Sequence, residues 1–219
     1  WKLIGKNPAT VRINRPRQSG APAAHWSPAQ AQAFLAANKD QPLFPLYALM
    51  LTTGLRRGEA LGLHWKDVDL LGRRLTVLET RVAVGGGVQV SEPKTRAGVR
   101  VVELGVTAVA ILEKHKANSF GTGHVFTTVN GLPIHPQNLR RSMDSACKRA
   151  GLEPLTPKGF RHTAATCLLA AGVHPKKVQE MLGHSHINIT LGTYSHVIQG
   201  MHRDAADALD VALFPDEED

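Results

Sequence analysis

Apolar residues recur at three- and four-residue intervals along most of this chain, a spacing typical of amphipathic helices. The first such stretch follows Ser27-Pro28, and serine before proline is a common helix start because the hydroxyl caps free N–H groups. The spacing predicts helices over residues 28–38, 42–53, 57–63, 106–118, 136–150, 158–171, 175–182, 187–194 and 197–213. The last of these has one apolar face, which runs from Ile198 to Ala212.

The period changes between the third and fourth predicted helices. Residues 74–84, 88–90 and 99–104 are rich in valine, leucine and threonine, which predicts one small antiparallel sheet. Gly85-Gly86-Gly87 separates the first two segments and predicts a hairpin turn. A phosphate-binding loop is the weaker interpretation of these glycines, because no P-loop lysine follows them. The predicted fold class is therefore mainly α with a small antiparallel β-sheet (α+β).

The N-terminal segment differs in composition from the rest of the chain. Residues 1–24 contain basic residues, no acid and three prolines, which predicts a basic linker. A linker of this kind can follow a DNA backbone, although a solvated tail would have the same composition. The arginines in question are Arg12, Arg15 and Arg17. The chain starts at Trp1 without an initiator methionine, so we expect a piece of a longer protein, with residues 25–219 forming one domain that ends in an acidic tail.

Charge and composition narrow the class of partner. The formal net charge of +8 and the sequence pI near 9.8 favour a polyanion such as nucleic acid, although many basic proteins bind none. The chain contains no run of about 18 apolar residues, so no membrane span is predicted, and its polar opening predicts no signal peptide. The two cysteines fall in predicted helices and make no disulfide framework, so a reduced, cytoplasmic setting is expected.

Four short stretches carry the candidate chemistry. They are Thr53-Gly54-Leu55-Arg56-Arg57-Gly58-Glu59-Ala60-Leu61, Pro93-Lys94-Thr95, Lys158-Gly159-Phe160-Arg161-His162-Thr163, and Leu182-Gly183-His184-Ser185 leading to Thr193-Tyr194. In this order they resemble the motifs of the catalytic domain of the tyrosine recombinase, or phage integrase, family. The resemblance covers roughly residues 25–200, nearly the whole predicted folded part.

The same stretches suit cleavage of a phosphodiester. That reaction needs a nucleophile, neutralisation of the non-bridging oxygens and a proton for the leaving oxygen. The chain has only two tyrosines, and Tyr47 lies in an apolar segment that is most simply core. Tyr194 lies among polar residues, ten positions after His184, and is the predicted nucleophile.

Two arginines are the predicted phosphate clamp. Arg56 and Arg161 suit this role because a guanidinium is permanently charged and its planar fork matches phosphate oxygens. Arg57 is the alternative to Arg56; neighbours on a helix point in different directions, so only one is expected to face the site. The resemblance selects Arg56, the residue after Gly54-Leu55. It also implies that Glu59 orients the Arg56 guanidinium, with a surface ion pair as the alternative.

Two lysines are assigned by the resemblance. It implies that Lys94, at the predicted hairpin, is the general acid that protonates the departing 5′ oxygen, since lysine ordinarily holds its proton near neutral pH. A solvated or phosphate-contacting lysine is the alternative. Lys158 stands three positions before Arg161, where the family most often has histidine. A lysine accepts the tyrosine proton only if its pKa is strongly depressed, so Lys158 is predicted to donate to the scissile phosphate.

The histidines divide into one site residue and several others. The resemblance implies that His184 hydrogen-bonds the phosphate, whereas His162 is predicted to be structural. His186 and His196 lie outside the matched positions. A metal site built from these last two with His184 is disfavoured, because no carboxylate or cysteine stands at the usual ligand spacing. No metal is predicted.

The resemblance implies a reaction and a set of partners. The substrate would be double-stranded DNA, which Tyr194 attacks to form a 3′-phosphotyrosine bond without a metal ion or other cofactor. Members of the family act as homo-oligomers, with a tetramer in the synapse, and can be monomeric alone. The resemblance also implies exchange of the C-terminal segment between protomers, help from DNA-bending or directionality proteins, and an N-terminal core-binding domain, whose end would lie within residues 1–24.

Three alternatives stay open. A non-catalytic DNA-binding module of the same fold is the first, although the arginine, lysine, histidine and tyrosine positions are all filled. A type IB topoisomerase-like enzyme that nicks and closes DNA is the second, and the sequence around Gly183-His184 and Thr193-Tyr194 is less like that group. The third is a metal-dependent nuclease, which would need clustered carboxylates, whereas the acids of this chain are scattered.

Overall fold

A computed structural model describes residues 24–84, 87–91, 98–119 and 123–185, together with positions 187 and 213. Seven helices lie in these ranges: α1 (Pro28–Asn38), α2 (Phe44–Thr53), α3 (Arg57–Gly62), α4 (Val106–Ala117), α5 (Pro136–Arg149), α6 (Pro157–Ala170) and α7 (Pro175–Leu182). The strands are β1 (Val68–Asp69), β2 (Arg74–Val77), β3 (Thr80–Val84), β4 (Gly87–Ser91) and β5 (Arg100–Glu103). No helix in the described part of the chain is long and apolar enough to cross a membrane.

The seven predicted helices between residues 28 and 182 are confirmed to within two residues at either end. Helix α1 begins as its sequence predicts: the Ser27 hydroxyl accepts from the Gln30 backbone N–H at 3.3 Å, and the Gln30 side chain accepts from the Ser27 N–H at 2.9 Å. The helices predicted at 187–194 and 197–213 lie outside the described residues, apart from positions 187 and 213.

The strands form two sheets, where the sequence predicted one. In the first, β2 lies between β1 and β5, and Leu75 pairs with Val102. The second is the hairpin β3–β4, in which Val82 pairs with Gln89. The segment 74–84, predicted as one strand, is interrupted at residues 78 and 79. The interruption arises because β2 buries Leu75 in the core, whereas the start of β3 packs closely on α3.

The main core is built around aromatic rings contributed by three helices and the segment before α1. Trp26, Phe34, Tyr47 and Phe160 lie with ring centroids 4.8 to 6.3 Å apart. Tyr47 is only 2% exposed, and burial raises the pKa of its hydroxyl to about 12, with the nearby Cys147 adding to the rise and Arg149 opposing it. The prediction that Tyr47 is a core residue is confirmed.

Helices α2 and α7 end close together, beside α6. Each ends at a glycine in the left-handed region, Gly54 with φ 65° and Gly183 with φ 66°. A Cβ on Gly54 would lie 2.4 Å from a methyl carbon of Leu182, and its positive φ is strained for other residues, so glycine at position 54 favours the close approach of these two helix ends. The close approach brings the backbone carbonyls of two helix C-termini to one place.

Candidate active site

One cleft of about 890 Å³ collects five of the predicted site residues. It is lined by the start of α3, the start of α6, one face of α5, strand β3 and the residues after α7. Arg56, Lys158, Arg161 and His184 all line it, although the first and last are 128 positions apart in the sequence. The tertiary structure therefore brings together the motif residues that the sequence only places in order.

Arg161 lies at the bottom of the cleft and is 7% exposed. Its Nη1 donates to the Gly54 carbonyl at 2.9 Å and its Nη2 to the Leu182 carbonyl at 2.6 Å. Both carbonyls belong to helix C-termini, where the backbone carries partial negative charge that favours a cation. The guanidinium is thus held by the two helix ends that meet beside α6.

Arg56 lies above it at the N-cap of α3, with 45% of its side chain exposed. Its Nη1 donates to Glu59 Oε1 at 2.7 Å and its Nη2 to the Gly183 carbonyl at 3.2 Å. The expectation that only one of Arg56 and Arg57 would face the site is wrong, because both line the cleft. Arg56 precedes the helix in extended backbone, so helical geometry does not separate the two side chains.

Glu59 is 4% exposed, so the alternative of a surface ion pair is wrong. Its Oε2 accepts from the Arg56 backbone N–H at 2.8 Å, in addition to the side-chain contact at Oε1. Burial raises the pKa of Glu59, but hydrogen bonds and charge from Arg100, together with hydrogen bonds from Arg56, more than offset it and hold the pKa below its ordinary value. Glu59 is therefore a buried carboxylate held between two arginines.

Arg100 is the partner that the sequence reasoning missed. Its side chain is 7% exposed, and its Nη1 and Nη2 donate to the two Glu59 oxygens at 3.1 and 2.9 Å. The only signal in the sequence was register: in the strand Val99 to Leu104, Arg100 alternates with Val101 and so shares the inward face with Val102. A charged residue on the inward face of a strand needs a buried partner.

His184 follows the glycine that ends α7. Its backbone carbonyl accepts from the Gln179 side chain at 2.8 Å, and its backbone N–H donates to the Gln179 carbonyl at 3.1 Å. Burial, followed by the positive charges of Arg161 and Arg56, lowers the pKa of His184 to about 4. Its imidazole is therefore uncharged at neutral pH.

His162 also lines the cleft, one residue after Arg161. Burial and the charges of Lys158, Arg161 and His25 lower its pKa to about 4. Lys158 is exposed at the rim of the cleft, one helical turn before Arg161. Its positive charge therefore contributes to the cationic lining of the cleft and helps to lower the pKa of His162.

The two cleft histidines, His162 and His184, predict an acid-sensitive fold. Their pKa values lie near 4 in the folded protein and near 6.5 in an unfolded chain, so between these values the unfolded chain binds more protons. The free energy of unfolding is therefore expected to fall as the pH drops from about 6.5 to about 4. Thermal unfolding followed by circular dichroism across this range measures the effect.

The double variant His162→Gln/His184→Gln is expected to lose less stability across the same pH range. His174→Asn is the matched control, because it replaces an exposed histidine by another residue able to cap α7. If the double variant keeps the wild-type slope, other groups cause the acid sensitivity.

The lining of the cleft is strongly cationic. Six lining residues are arginine or lysine, and Glu59 is the one acid among them. The sequence reasoning did not single out two of the six, Arg81 on β3 and Arg140 on α5. Burial lowers the pKa of Arg81, whereas Arg140 pairs with Asp144 at 3.0 Å on an exposed helix face. Within the described ranges, no three histidine, cysteine, aspartate or glutamate residues are grouped to hold a metal ion.

Several predicted site residues lie outside the described part of the chain. They are Lys94, Tyr194 and the linker residues Arg12, Arg15 and Arg17; the histidines His186 and His196, which were not predicted to belong to the site, also lie there. Two described residues near Lys94 and Tyr194 in the sequence lie at the cleft. Gly98, four residues after Lys94, and Ser185, nine residues before Tyr194, both line it.

Comparison with known proteins identifies a family. The sequence model of the phage integrase family matches residues 27–200. A tyrosine recombinase XerC-like protein of Caldanaerobacter subterraneus subsp. tengcongensis is 33% identical over an alignment of 194 residues, gaps included, that covers 78% of this chain and 50% of that protein. This chain spans about half the length of the curated relatives that it matches first.

Solved structures agree with the sequence comparison. The Tn1549 transposon integrase, solved in complex with transposon right end DNA, superposes with a TM-score of 0.77 at 28% identity, covering 92% of this chain and 73% of that one. The catalytic domain of bacteriophage HP1 integrase has the same fold, with a TM-score of 0.60 at 20% identity over 89% of this chain and 99% of that one. The predicted fold class, mainly α with a small antiparallel β-sheet, is confirmed, with two small sheets in place of the one predicted.

Proposed function

Because the chain belongs to the phage integrase family of tyrosine recombinases, as a catalytic domain, we propose that it cuts and rejoins DNA strands at specific sites through a 3′-phosphotyrosine intermediate. The observation that carries the proposal is the convergence of Arg56, Arg161 and His184 on one cleft. The six cationic side chains and single acid that line this cleft suit a DNA backbone, which carries one negative charge per phosphate.

Arg56 and Arg161 are proposed to hold the non-bridging oxygens of the scissile phosphate. Both guanidiniums are anchored by backbone carbonyls, so they need little reorganisation when charge builds up on the phosphate in the transition state. The uncharged imidazole of His184 can donate one hydrogen bond to a phosphate oxygen. Lys158 is proposed as a further donor, because it lines the same cleft one turn before Arg161.

Tyr194 is proposed to attack the phosphorus atom. The bond from its hydroxyl oxygen to phosphorus forms as the hydroxyl proton leaves to solvent, the bond from phosphorus to the 5′ oxygen breaks, and Lys94 supplies the proton that this oxygen takes up. A 5′ hydroxyl of the partner strand then reverses the step, so the energy of the broken bond is kept in the covalent link. The positions of Gly98 and Ser185 at the cleft support both assignments, since each segment continues from there.

The test does not assume a DNA target sequence, because the lining of the cleft does not define one. A pool of nicked duplexes with a randomised segment is incubated with the chain and denatured, and DNA linked to protein is recovered and sequenced. Enrichment of one sequence, linked through its 3′ end, is the expected result. The most enriched duplex then serves as the substrate for all later measurements.

The same experiment separates the alternatives. A topoisomerase-like enzyme would give adducts with little sequence enrichment. A non-catalytic module would bind DNA and give no adduct. A metal-dependent nuclease would give cut DNA without a protein link, and EDTA would abolish the cutting.

Assembly and domain organisation are further parts of the proposal. Residues 1–24 are proposed to link residues 25–219 to an N-terminal core-binding domain, with the linker arginines following the DNA backbone. We propose that the enzyme acts on DNA as a homo-oligomer, a tetramer in the synapse, through exchange of the helix predicted at 197–213. A groove of about 540 Å³ between β5 and helices α6 and α7 supports this, because its apolar wall suits the apolar face of such a helix. The apolar residues of that wall include Val101, Leu168, Val173 and Met181.

A charge in the groove is expected to weaken assembly on DNA. Val101 lines the groove and is 54% exposed, so Val101→Asp should leave folding nearly intact while charging the docking surface. Multi-angle light scattering of the protein on the selected duplex should show fewer high-order complexes. Leu71→Asp, at a fully solvated position outside the groove, is the control. Equal assembly by the wild type and Val101→Asp would contradict a role for this groove.

A further inference from the structure

Arg100 forms hydrogen bonds with several segments outside its own small sheet. Besides the two bonds to Glu59, its Nε donates to the Met181 carbonyl at 2.9 Å and its Nη1 to the Gly98 carbonyl at 3.2 Å. One buried side chain on β5 therefore connects α3, the last turn of α7 and the residues before β5. These are the segments that carry Glu59, lead to His184 and follow Lys94.

The charges around Glu59 show what this arrangement does. Glu59 and Arg56 alone would form a neutral pair, and the carboxylate would compete with a phosphate for the Arg56 guanidinium. In a partly buried site this competition is strong, because the surroundings screen charge poorly. Arg100 instead approaches both carboxylate oxygens with its planar fork, the strongest geometry for such a pair. The three side chains together then carry one net positive charge, and the exposed member is Arg56.

We propose that Arg100 is a positioning residue for the phosphate clamp, which compensates the charge of Glu59 so that Arg56 stays oriented and keeps its positive charge available to DNA. Arg100 itself does not touch the substrate in this proposal. Glu59, the carboxylate partner of Arg100, accepts hydrogen bonds from both the backbone N–H and the guanidinium of Arg56. The proposal rests on the function proposed above, since it assigns Arg100 to the same cleavage step.

The variant Arg100→Met tests the proposal, because methionine fills much of the same space without charge or donors. Within the described part of the chain, Arg56 would then be the one remaining cationic partner of Glu59, and Arg56 would be neutralised and drawn toward it. Single-turnover adduct formation on the selected duplex is expected to slow about tenfold or more, a cost in line with the loss of charged hydrogen bonds. Arg74→Met is the matched control: Arg74 lies on the neighbouring strand β2 and pairs with Asp69 at the surface, so its loss should leave the rate unchanged.

A double-mutant cycle separates charge compensation from simple packing. In the Glu59→Gln background the carboxylate charge is gone, so Arg100→Met is expected to cost much less than it does in the wild type. A packing role would make the cost equal in both backgrounds. The rate difference between Arg100→Met and the wild type should also narrow on acidification, because losing Arg100 raises the pKa of Glu59 and the protonated side chain no longer neutralises Arg56.

The outcomes distinguish this proposal from the one on which it rests. If the folded wild type forms no adduct with any duplex, the proposed function fails and the role of Arg100 fails with it. If the wild type forms the adduct and Arg100→Met does so at the same rate, or at equal cost in both backgrounds, only the role of Arg100 is overturned. Should Arg100→Met not fold, Arg100→Lys and Arg100→Gln replace it: the lysine keeps the charge and should retain much of the rate, whereas the uncharged glutamine should lose it, and equal rates in these two variants would overturn the proposal.

Discussion

Replacing Tyr194 by phenylalanine is expected to abolish the covalent protein–DNA adduct completely. Phenylalanine keeps the ring and loses the one oxygen that can bond to phosphorus, so the fold and DNA binding should be unaffected. The nicked suicide duplex makes the result unambiguous, because the short fragment carrying the 5′ hydroxyl diffuses away and any adduct accumulates. A denaturing gel then shows the adduct as labelled DNA that migrates with the protein.

The chain offers a closely matched control for this experiment. Tyr47 is the other tyrosine of the chain and is buried among aromatic rings in the core. Tyr47→Phe removes the same atom from a place that DNA cannot reach, and it should form the adduct at the wild-type rate. An adduct formed by Tyr194→Phe would show that the nucleophile is wrongly assigned, and mapping the linked peptide would identify the true one.

Loss of either clamp arginine is expected to have the second-largest effect. Arg56→Ala and Arg161→Ala should each slow adduct formation by about a hundredfold or more at saturating DNA, the cost of removing one preorganised donor from a developing charge. Binding should weaken far less, because other basic residues share the contacts with the backbone. Single-turnover rates and fluorescence anisotropy on the selected duplex separate the two quantities.

The two arginines should differ in what they do to stability. Arg161 is buried and satisfies the carbonyls of Gly54 and Leu182, so Arg161→Ala is expected to lower the melting temperature as well as the rate. Arg56 is half exposed, and Arg100 remains to hold Glu59, so Arg56→Ala should unfold near the wild-type temperature. Arg56 therefore provides the cleaner test of the clamp.

Arg57→Ala is the control for position and charge. Arg57 lines the same cleft next to Arg56, and no bond from its guanidinium to Glu59 or Gly183 is present in the described structure. Its removal should reduce affinity and the salt dependence of binding, with little change in the rate at saturation. A loss of rate in Arg57→Ala equal to that in Arg56→Ala would mean that the clamp was assigned to the wrong neighbour.

Arg161 and Arg100 differ in how much of their role the sequence predicts. Arg161 was predicted as a site residue because it stands in a short motif, and the structure places it in the cleft beside Arg56 and His184. Arg100 lies in the strand that follows the Pro93-Lys94-Thr95 motif, but the motif assigned no role to it. Its importance depends on contacts with Glu59, 41 positions away, and Met181, 81 positions away. Such contacts leave no periodic trace in a single sequence.

For Glu59 and for the segment 74–84, too, the sequence predicts local structure but not the packing that completes it. The spacing of Glu59 from Arg56 predicts that the two can meet, but an exposed pair and a buried pair have the same spacing. Burial was decided by β5, which covers Glu59 with Arg100. Likewise, the composition of residues 74–84 predicts extended chain, whereas packing of β3 against α3 decides where the strand breaks.

What the sequence determined by itself is the set of local elements, the order of the motifs and therefore the family, since helix periodicity, caps and motif spacing depend only on nearby residues. What the tertiary structure alone decided is which charges share one buried environment. The meeting of the α2 and α7 ends at Gly54, the carbonyls that hold Arg161, and the Arg56–Glu59–Arg100 triad all depend on how distant elements pack. The strength of a charge in a protein depends on its distance to other charges and on its burial, and neither quantity exists until the chain has folded.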